Sequence, residues 1–177
     1  MARKFKGNAW VFDGILDVDW EICAFETMRQ LREKGIPITY EELGKYCMIN
    51  VDPDFPKKAQ KGDFLVAREN VGYGHDHDHA CMSIKGAGLS AVVCESTNAN
   101  FFRNSVEHGL PVVECKGVFG EVKQGHELEV DLEAGTVKKL TTGKEMRFAP
   151  YPDFLLEMLD AGGLYPYLEQ QVKAGAI

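Results

Sequence analysis

Apolar residues recur every third position from Ile22 through Phe25 and Met28 to Leu31, and this spacing predicts a helix over Glu21–Lys34. Gly35 is a stop for it, and Pro37 bars continuation. A second, short helix is expected from Thr39. Thr39-Tyr40-Glu41-Glu42 has capping-box spacing, with a hydroxyl for a first-turn amide and a carboxylate three residues on to reach back. Upstream, Ala9–Phe12 reads as a strand that runs into the acidic turn Asp13–Asp19. Asp52-Pro53-Asp54-Phe55-Pro56 is a loop by its prolines, and Lys57, Lys58 and Lys61 read as a solvated face. Gly62-Asp63 is a turn before a strand at Phe64–Ala67.

The middle of the chain alternates element types. A helix is expected from about His79 to Lys85, a strand at Ala91–Cys94, a helix capped by Ser96 or Thr97 that runs to His108, and a strand at Leu110–Val113. Helix, strand, helix, strand in that order implies a parallel sheet covered by helices. Further on, Leu128, Val130 and Leu132 alternate with Glu127, Glu129 and Asp131, the pattern of a half-buried strand. After the turn Glu133-Ala134-Gly135, Thr136–Leu140 is its hairpin partner. Pro150 and Pro152 precede a helix at Asp153–Leu159, which Gly162-Gly163 break before a last short helix. The whole, residues 1–177, reads as one α/β domain with a small antiparallel hairpin.

Composition narrows the function classes. The chain has 27 acidic residues against 20 Lys and Arg, a net charge of −7, which argues against a nucleic-acid footprint. No apolar run approaches the roughly 18–20 residues that span a bilayer, and no signal-type stretch follows the basic start, so a cytoplasmic protein without membrane attachment is expected. The five cysteines, Cys23, Cys47, Cys81, Cys94 and Cys115, are odd in number and scattered, with no C-x-x-C. They read as free thiols in a reducing compartment, and a cluster or zinc site held by this chain alone is not expected.

The chemistry concentrates in Gly72-Tyr73-Gly74-His75-Asp76-His77-Asp78-His79-Ala80, where three of the five histidines fall within five residues. Glycines permit close backbone approach to a ligand, and the helix start behind them favours an anion. Three readings stay open. His75, His77 and His79 could ligate a metal, since in an extended segment all three point to one face. One histidine could be a general base oriented by an aspartate. The segment could also be a solvated loop. Asp17 and Asp19 make a second acidic point, able to orient a base or to cap a turn. Arg103, on a helix with apolar neighbours, could grip a carboxylate or lie over its own sheet.

The chain resembles, over nearly its whole length, the small subunits of 3-isopropylmalate dehydratases, the separate swivel domain of the aconitase superfamily. Ala9-Trp10-Val11-Phe12 and Asp17-Val18-Asp19 stand where that family has a Trp-Lys-Phe segment and an Asp-Thr-Asp turn. Glu42–Met48, Val51–Phe55 and Lys61–Ala67 look like its next blocks, and Ala91–Ser96, Phe102-Arg103-Asn104, Leu140–Glu145 and Asp160–Leu164 match closely. The resemblance implies a swivelling β/β/α fold and a hydro-lyase of leucine biosynthesis acting on a 2-hydroxy dicarboxylic acid. It also implies a heterodimer or heterotetramer with a larger subunit that holds a [4Fe–4S] cluster. The family's Gly-x-Gly-Ser-Ser-Arg-Glu-His-Ala loop is replaced beyond its glycines, with only His79 and Ala80 retained. His75 stands at the serine base, and His77 at an arginine that holds a substrate carboxylate. The expected site is therefore His75 as base, oriented by Asp76 or Asp19, with Gly74, His77, His79 and Arg103 toward substrate. The rival expectation is a non-catalytic metal-binding or structural protein using His75, His77 and His79. The helix around Glu21–Lys34 stands where the family has a shorter loop that shapes selectivity.

Overall fold

The longest strand divides its two halves between different partners. A computed structural model describes residues 3–176. In it β1 (Lys4–Phe12) lies parallel to β2 (Phe64–Ala67) through Ala9–Phe12, and antiparallel to β5 (Glu127–Asp131) through Lys4–Asn8. The strand expected at Ala9 thus starts five residues earlier. Lys4 and Lys6 alternate with Phe5 and Gly7, and the lysines meet Asp131 at 3.0 Å and Glu129 at 3.1 Å across the strand pair. The lysines of the basic start thus form the solvated face of a strand.

β3 (Ala91–Cys94) and β4 (Val112–Glu114) extend the parallel side; β6 (Thr136–Lys139) and β7 (Glu145–Arg147) extend the antiparallel side. The sheet order is β4-β3-β2-β1-β5-β6-β7. The hairpin expected as an appendage is therefore continuous with the main sheet, and a third strand, β7, follows it. Alternate residues of the central strands feed two cores. Leu65, Ala67, Val92 and Cys94 pack with Phe12, Phe55 and Phe101 on one face, while Phe64, Val66, Ala91 and Val93 pack with Leu128, Val130 and Leu156 on the other.

The helices cover these faces. A π-helical turn at Val18–Ile22 precedes α1 (Phe25–Glu33), α2 (Tyr40–Gly44) and the single turn α3 (Phe55–Lys58). α4 (His79–Gly86) and α5 (Ala99–Glu107) make the parallel crossovers, with α6 (Val118–Glu121) after β4. α7 (Asp153–Ala161) and α8 (Leu164–Lys173) close the chain.

Two helix expectations change. The predicted Glu21–Lys34 helix is broken at Cys23-Ala24: Ile22 serves the main core, whereas Met28 and Leu31 belong to a small cluster with Cys23 and Leu43. The cap of α5 is Asn98, whose side chain accepts from the Asn100 amide at 2.9 Å. Ser96 and Thr97 instead bind the loop beside them, Ser96 Oγ accepting from the Asn70 amide and Thr97 Oγ1 donating to the Val71 carbonyl. Thr39 does cap α2, its hydroxyl oxygen accepting from the Glu42 amide at 3.1 Å.

Candidate functional site

The loops after β1, β2 and β3 meet at the carboxyl ends of the parallel strands. The Val18 amide donates to Tyr73 O and the Gly72 amide to Leu16 O, while Asn98 donates to Val71 O, so the loops are laced together by backbone bonds of 2.8–2.9 Å. This is the end of an open α/β sheet at which ligands characteristically bind. Gly72 and Gly74 both have positive φ, 77° and 104°. A Cβ on Gly72 would enter the Phe101 ring, and one on Gly74 would lie 2.5 Å from Asp17 Oδ2.

After Gly74 the chain is irregular, bent at His75 and helical from Asp78 (φ −74°, ψ −24°), and this path sends alternate side chains to two sides. His75, His77 and His79 go one way. Nδ1 of His75 lies 2.6 Å from Oδ2 of Asp19, and Nδ1 of His77 2.8 Å from Oδ1 of the same carboxylate. His79 Nε2 is 2.8 Å from the Cys23 carbonyl, with Asp19 Oδ1 at 3.4 Å. The rings stack in series, 5.5 Å from His75 to His77 and 5.6 Å from His77 to His79. Phe25, at the start of α1, stacks on His77 at 5.2 Å and 21°.

Asp76 and Asp78 go the other way. Asp76 accepts from Arg103 Nη2 and Asn104 Nδ2, each at 2.8 Å, and Asp78 lies 3.5 Å from His108 Nε2, whose Nδ1 is 2.6 Å from the Tyr40 hydroxyl. Asp76 therefore does not orient His75; Asp19 does. Arg103, its side chain 57% exposed, reaches the loop through Nη2. Its guanidinium is bonded to Asp76 and to Asn104 Oδ1. The expected three-histidine metal set is also altered, because His79 Nε2 is committed to a backbone carbonyl and Asp19 takes its place beside His75 and His77.

Exposure grades along the row: the His75 side chain is 78% exposed, that of His77 40%, that of His79 3% and that of Asp19 16%. Burial opposes ionisation of Asp19, but hydrogen bonds from His77 and His75 outweigh it and hold the carboxyl below the usual range. Burial pushes His79 below the ordinary imidazole value against the pull of the Cys23 carbonyl and Asp19, which favours its neutral form. At Asp76 the Asn104 amide lowers the carboxyl against partial burial, with Arg103 adding to it. Against an ionised Asp19, His75 and His77 both donate from Nδ1, and each keeps Nε2 as the nitrogen free to accept a proton.

The pairing of Asp19 with residues 56 and 58 positions away was not readable in one dimension. Asp17, equally a candidate, serves the turn, its Oδ1 accepting from the Asp19 amide at 2.7 Å. Sequence reasoning also missed Asn104 and Phe25 as site neighbours. A groove of about 490 Å³ between α5, β4 and the segment Phe148–Leu155 contains no histidine or arginine and lies apart from this chemistry.

The aconitase C-terminal domain family matches residues 27–117. The isopropylmalate/citramalate isomerase small subunit of Methanocaldococcus jannaschii is 42% identical over 97% of this chain and 98% of its own length. A 3-isopropylmalate dehydratase small subunit of Thermotoga maritima is 50% identical over 73% of this chain and 78% of its own. The chain belongs to the 3-isopropylmalate dehydratase small-subunit family. The crystal structure of a family member, 3-isopropylmalate dehydratase from M. jannaschii, superposes with a TM-score of 0.87 at 30% identity, over 98% of both chains. The aconitase-type swivel fold expected from the sequence is thus the fold observed, and the family is a component of hydro-lyases.

A [4Fe–4S] cluster does not fit the donors of this chain. All five thiols are buried, and burial raises them, Cys23 and Cys115 to about 11 and Cys81 to about 12. Among the described residues, the group of three or more His, Cys, Asp or Glu ligand atoms that converge is Asp19, His75 and His77, not cysteines. Among the described residues no helix is long and apolar enough to cross a membrane.

Proposed function

We propose that this chain is the small subunit of an aconitase-type hydro-lyase that dehydrates or isomerises a branched 2-hydroxy dicarboxylic acid such as 3-isopropylmalate. A separate large subunit would carry the [4Fe–4S] cluster. The observation that carries the reading is the Asp19–His75 contact in the loop at the strand ends, in a chain whose relatives bear these names. Asp19 fixes the tautomer of His75, leaving Nε2 on a ring that faces solvent. Nε2 takes the proton from the carbon next to a substrate carboxylate. The C–H electron pair becomes the new C=C bond, and the hydroxyl on the neighbouring carbon leaves with the C–O electron pair and takes a proton from solvent to become water. An imidazole can take this proton without the activation a serine would need.

His77, with the Gly74 amide, faces the substrate side, and the buried His79 backs the row through the Cys23 carbonyl. Arg103 acts through Asp76 by holding the loop. Ile15, Trp20, Phe25 and Tyr73 are exposed apolar side chains on the same loops, 62%, 64%, 46% and 52% accessible, and support a protein partner closing over the site. Buried free thiols support a reducing, cytosolic setting.

The test is steady-state dehydration of 3-isopropylmalate by the heteromer assembled from this chain and its cluster-bearing partner. His75→Gln is expected to lower kcat by about 10²–10⁴-fold with KM little changed, while His126→Gln, on the β5 approach, leaves both unchanged. Full turnover in His75→Gln would remove His75 from the base role.

A further inference from the structure

The row of imidazoles around Asp19 has a second chemistry that proton transfer does not use. We propose that Asp19, His75 and His77 form a binding site for a divalent cation of borderline softness, zinc or nickel, on this chain alone. One carboxylate oxygen and one ring nitrogen from each histidine lie within 4.8 Å of one another. The contacts between them, 2.6 and 2.8 Å, are hydrogen bonds in which the imidazoles donate to one carboxylate. A tetrahedral ion with bonds of about 2.0–2.1 Å spaces its donors by roughly 3.3 Å, so each of these two nitrogen–oxygen contacts would lengthen by about 0.5–0.7 Å as the ion enters.

The protons balance without a co-reactant. Each neutral imidazole moves its Nδ1 proton to Nε2, through solvent, and presents the vacated lone pair to the ion, while Asp19 is already ionised. Two neutral imidazoles and one carboxylate leave an occupied site with a charge of +1, open on the exposed His75 side for water or a fourth donor. Imidazole with carboxylate selects zinc, nickel or copper over magnesium and calcium, which prefer all-oxygen cages.

The rings are already oriented. His75 and His77 lie 5.5 Å apart and 25° from parallel, and Phe25 backs His77 at 5.2 Å. The Asp17 carboxylate holds the Asp19 amide at 2.7 Å, fixing the backbone of the third donor. His79 stays outside the set because the Cys23 carbonyl takes its Nε2. An ion seated here occupies the Asp19 oxygens that orient His75, so ion binding and proton transfer exclude one another at this cluster.

The site is independent of any partner and is tested on the full-length, tag-free chain, stripped with a chelator and dialysed against zinc sulfate. One zinc per chain is expected at micromolar free metal, with affinity at least about tenfold weaker in His75→Gln and in His77→Gln and unchanged in His126→Gln. Cobalt(II) loading is expected to give the intense visible bands of a low-coordinate ion, absent from both variants. His75 is solvent-exposed, so its variant folds, and matching thermal melts check this. Lack of saturable zinc binding below about 100 µM overturns the proposal, as does binding that survives the His75→Gln/His77→Gln double substitution. No turnover is measured, so neither result bears on the dehydratase reading.

Discussion

One carboxylate answers two imidazoles in this site, and its two oxygens are divided between them: Oδ2 to His75, Oδ1 to His77. An asparagine in its place keeps the size but offers one acceptor oxygen, and its amide hydrogens oppose the Nδ1–H groups. Asp19→Asn is therefore expected to lower kcat of the assembled enzyme on the order of 10²-fold or more, with a smaller change in KM, measured by steady-state kinetics. An unchanged kcat would mean that His75 needs no orientation from Asp19. The cluster of three histidines was legible in His75-Asp76-His77-Asp78-His79, but the path that aligns them was not, since the backbone is bent at His75 and helical from Asp78 rather than extended. Which aspartate faces them was not. Asp17 and Asp19 are chemically identical, and only the loop closure that brings Tyr73 O to the Val18 amide decides between them.

The loop itself is a strip pinned along both edges. Asp76 is tied to α5 through Arg103 and Asn104, and Asp78 reaches His108 at the end of the same helix. The Arg103–Asp76 pair is half exposed on both sides, 57% and 45%, so its worth to global stability is small. Asp76→Ala is expected to cost less than about 1 kcal/mol in chemical denaturation, yet to speed amide hydrogen exchange across residues 73–78. Unchanged exchange there would contradict the pinning. Short unbroken apolar runs bounded by turn residues, such as Phe64–Ala67 and Ala91–Cys94, were readable to the residue, because both faces of those strands are buried. The break at Cys23-Ala24 was not, since Ile22 and Phe25 keep a helical spacing while serving different surroundings: Ile22 is fully buried and Phe25 is 46% exposed against His77.

Across the molecule, a single buried carboxylate joins the two halves of β1 to the loop before β2. Asp63, 3% exposed, accepts from the Asn8 amide and side chain, the Trp10 indole and the Gln60 amide. Burial raises its pKa, but these donors together hold it below the ordinary value of 3.8. A carboxyl lowered in the folded state stabilises fully above its unfolded value and loses that contribution as pH falls through the folded one. Asp63→Asn is expected to cost about 2 kcal/mol at neutral pH, with the gap to the parent narrowing below pH 3.8 in urea titrations; a gap independent of pH would contradict this. The five buried thiols, all raised by burial, are expected to resist a disulfide reagent at about pH 8 in the native chain and to react, all five, in denaturant. Rapid labelling of the native chain would contradict that burial. The most direct measurement is dehydration of 3-isopropylmalate by this chain alone, by the cluster-bearing large subunit alone, and by the two combined. Turnover is expected from the combination only, and turnover by either half unassisted, or none from the pair, would contradict a site divided between two chains.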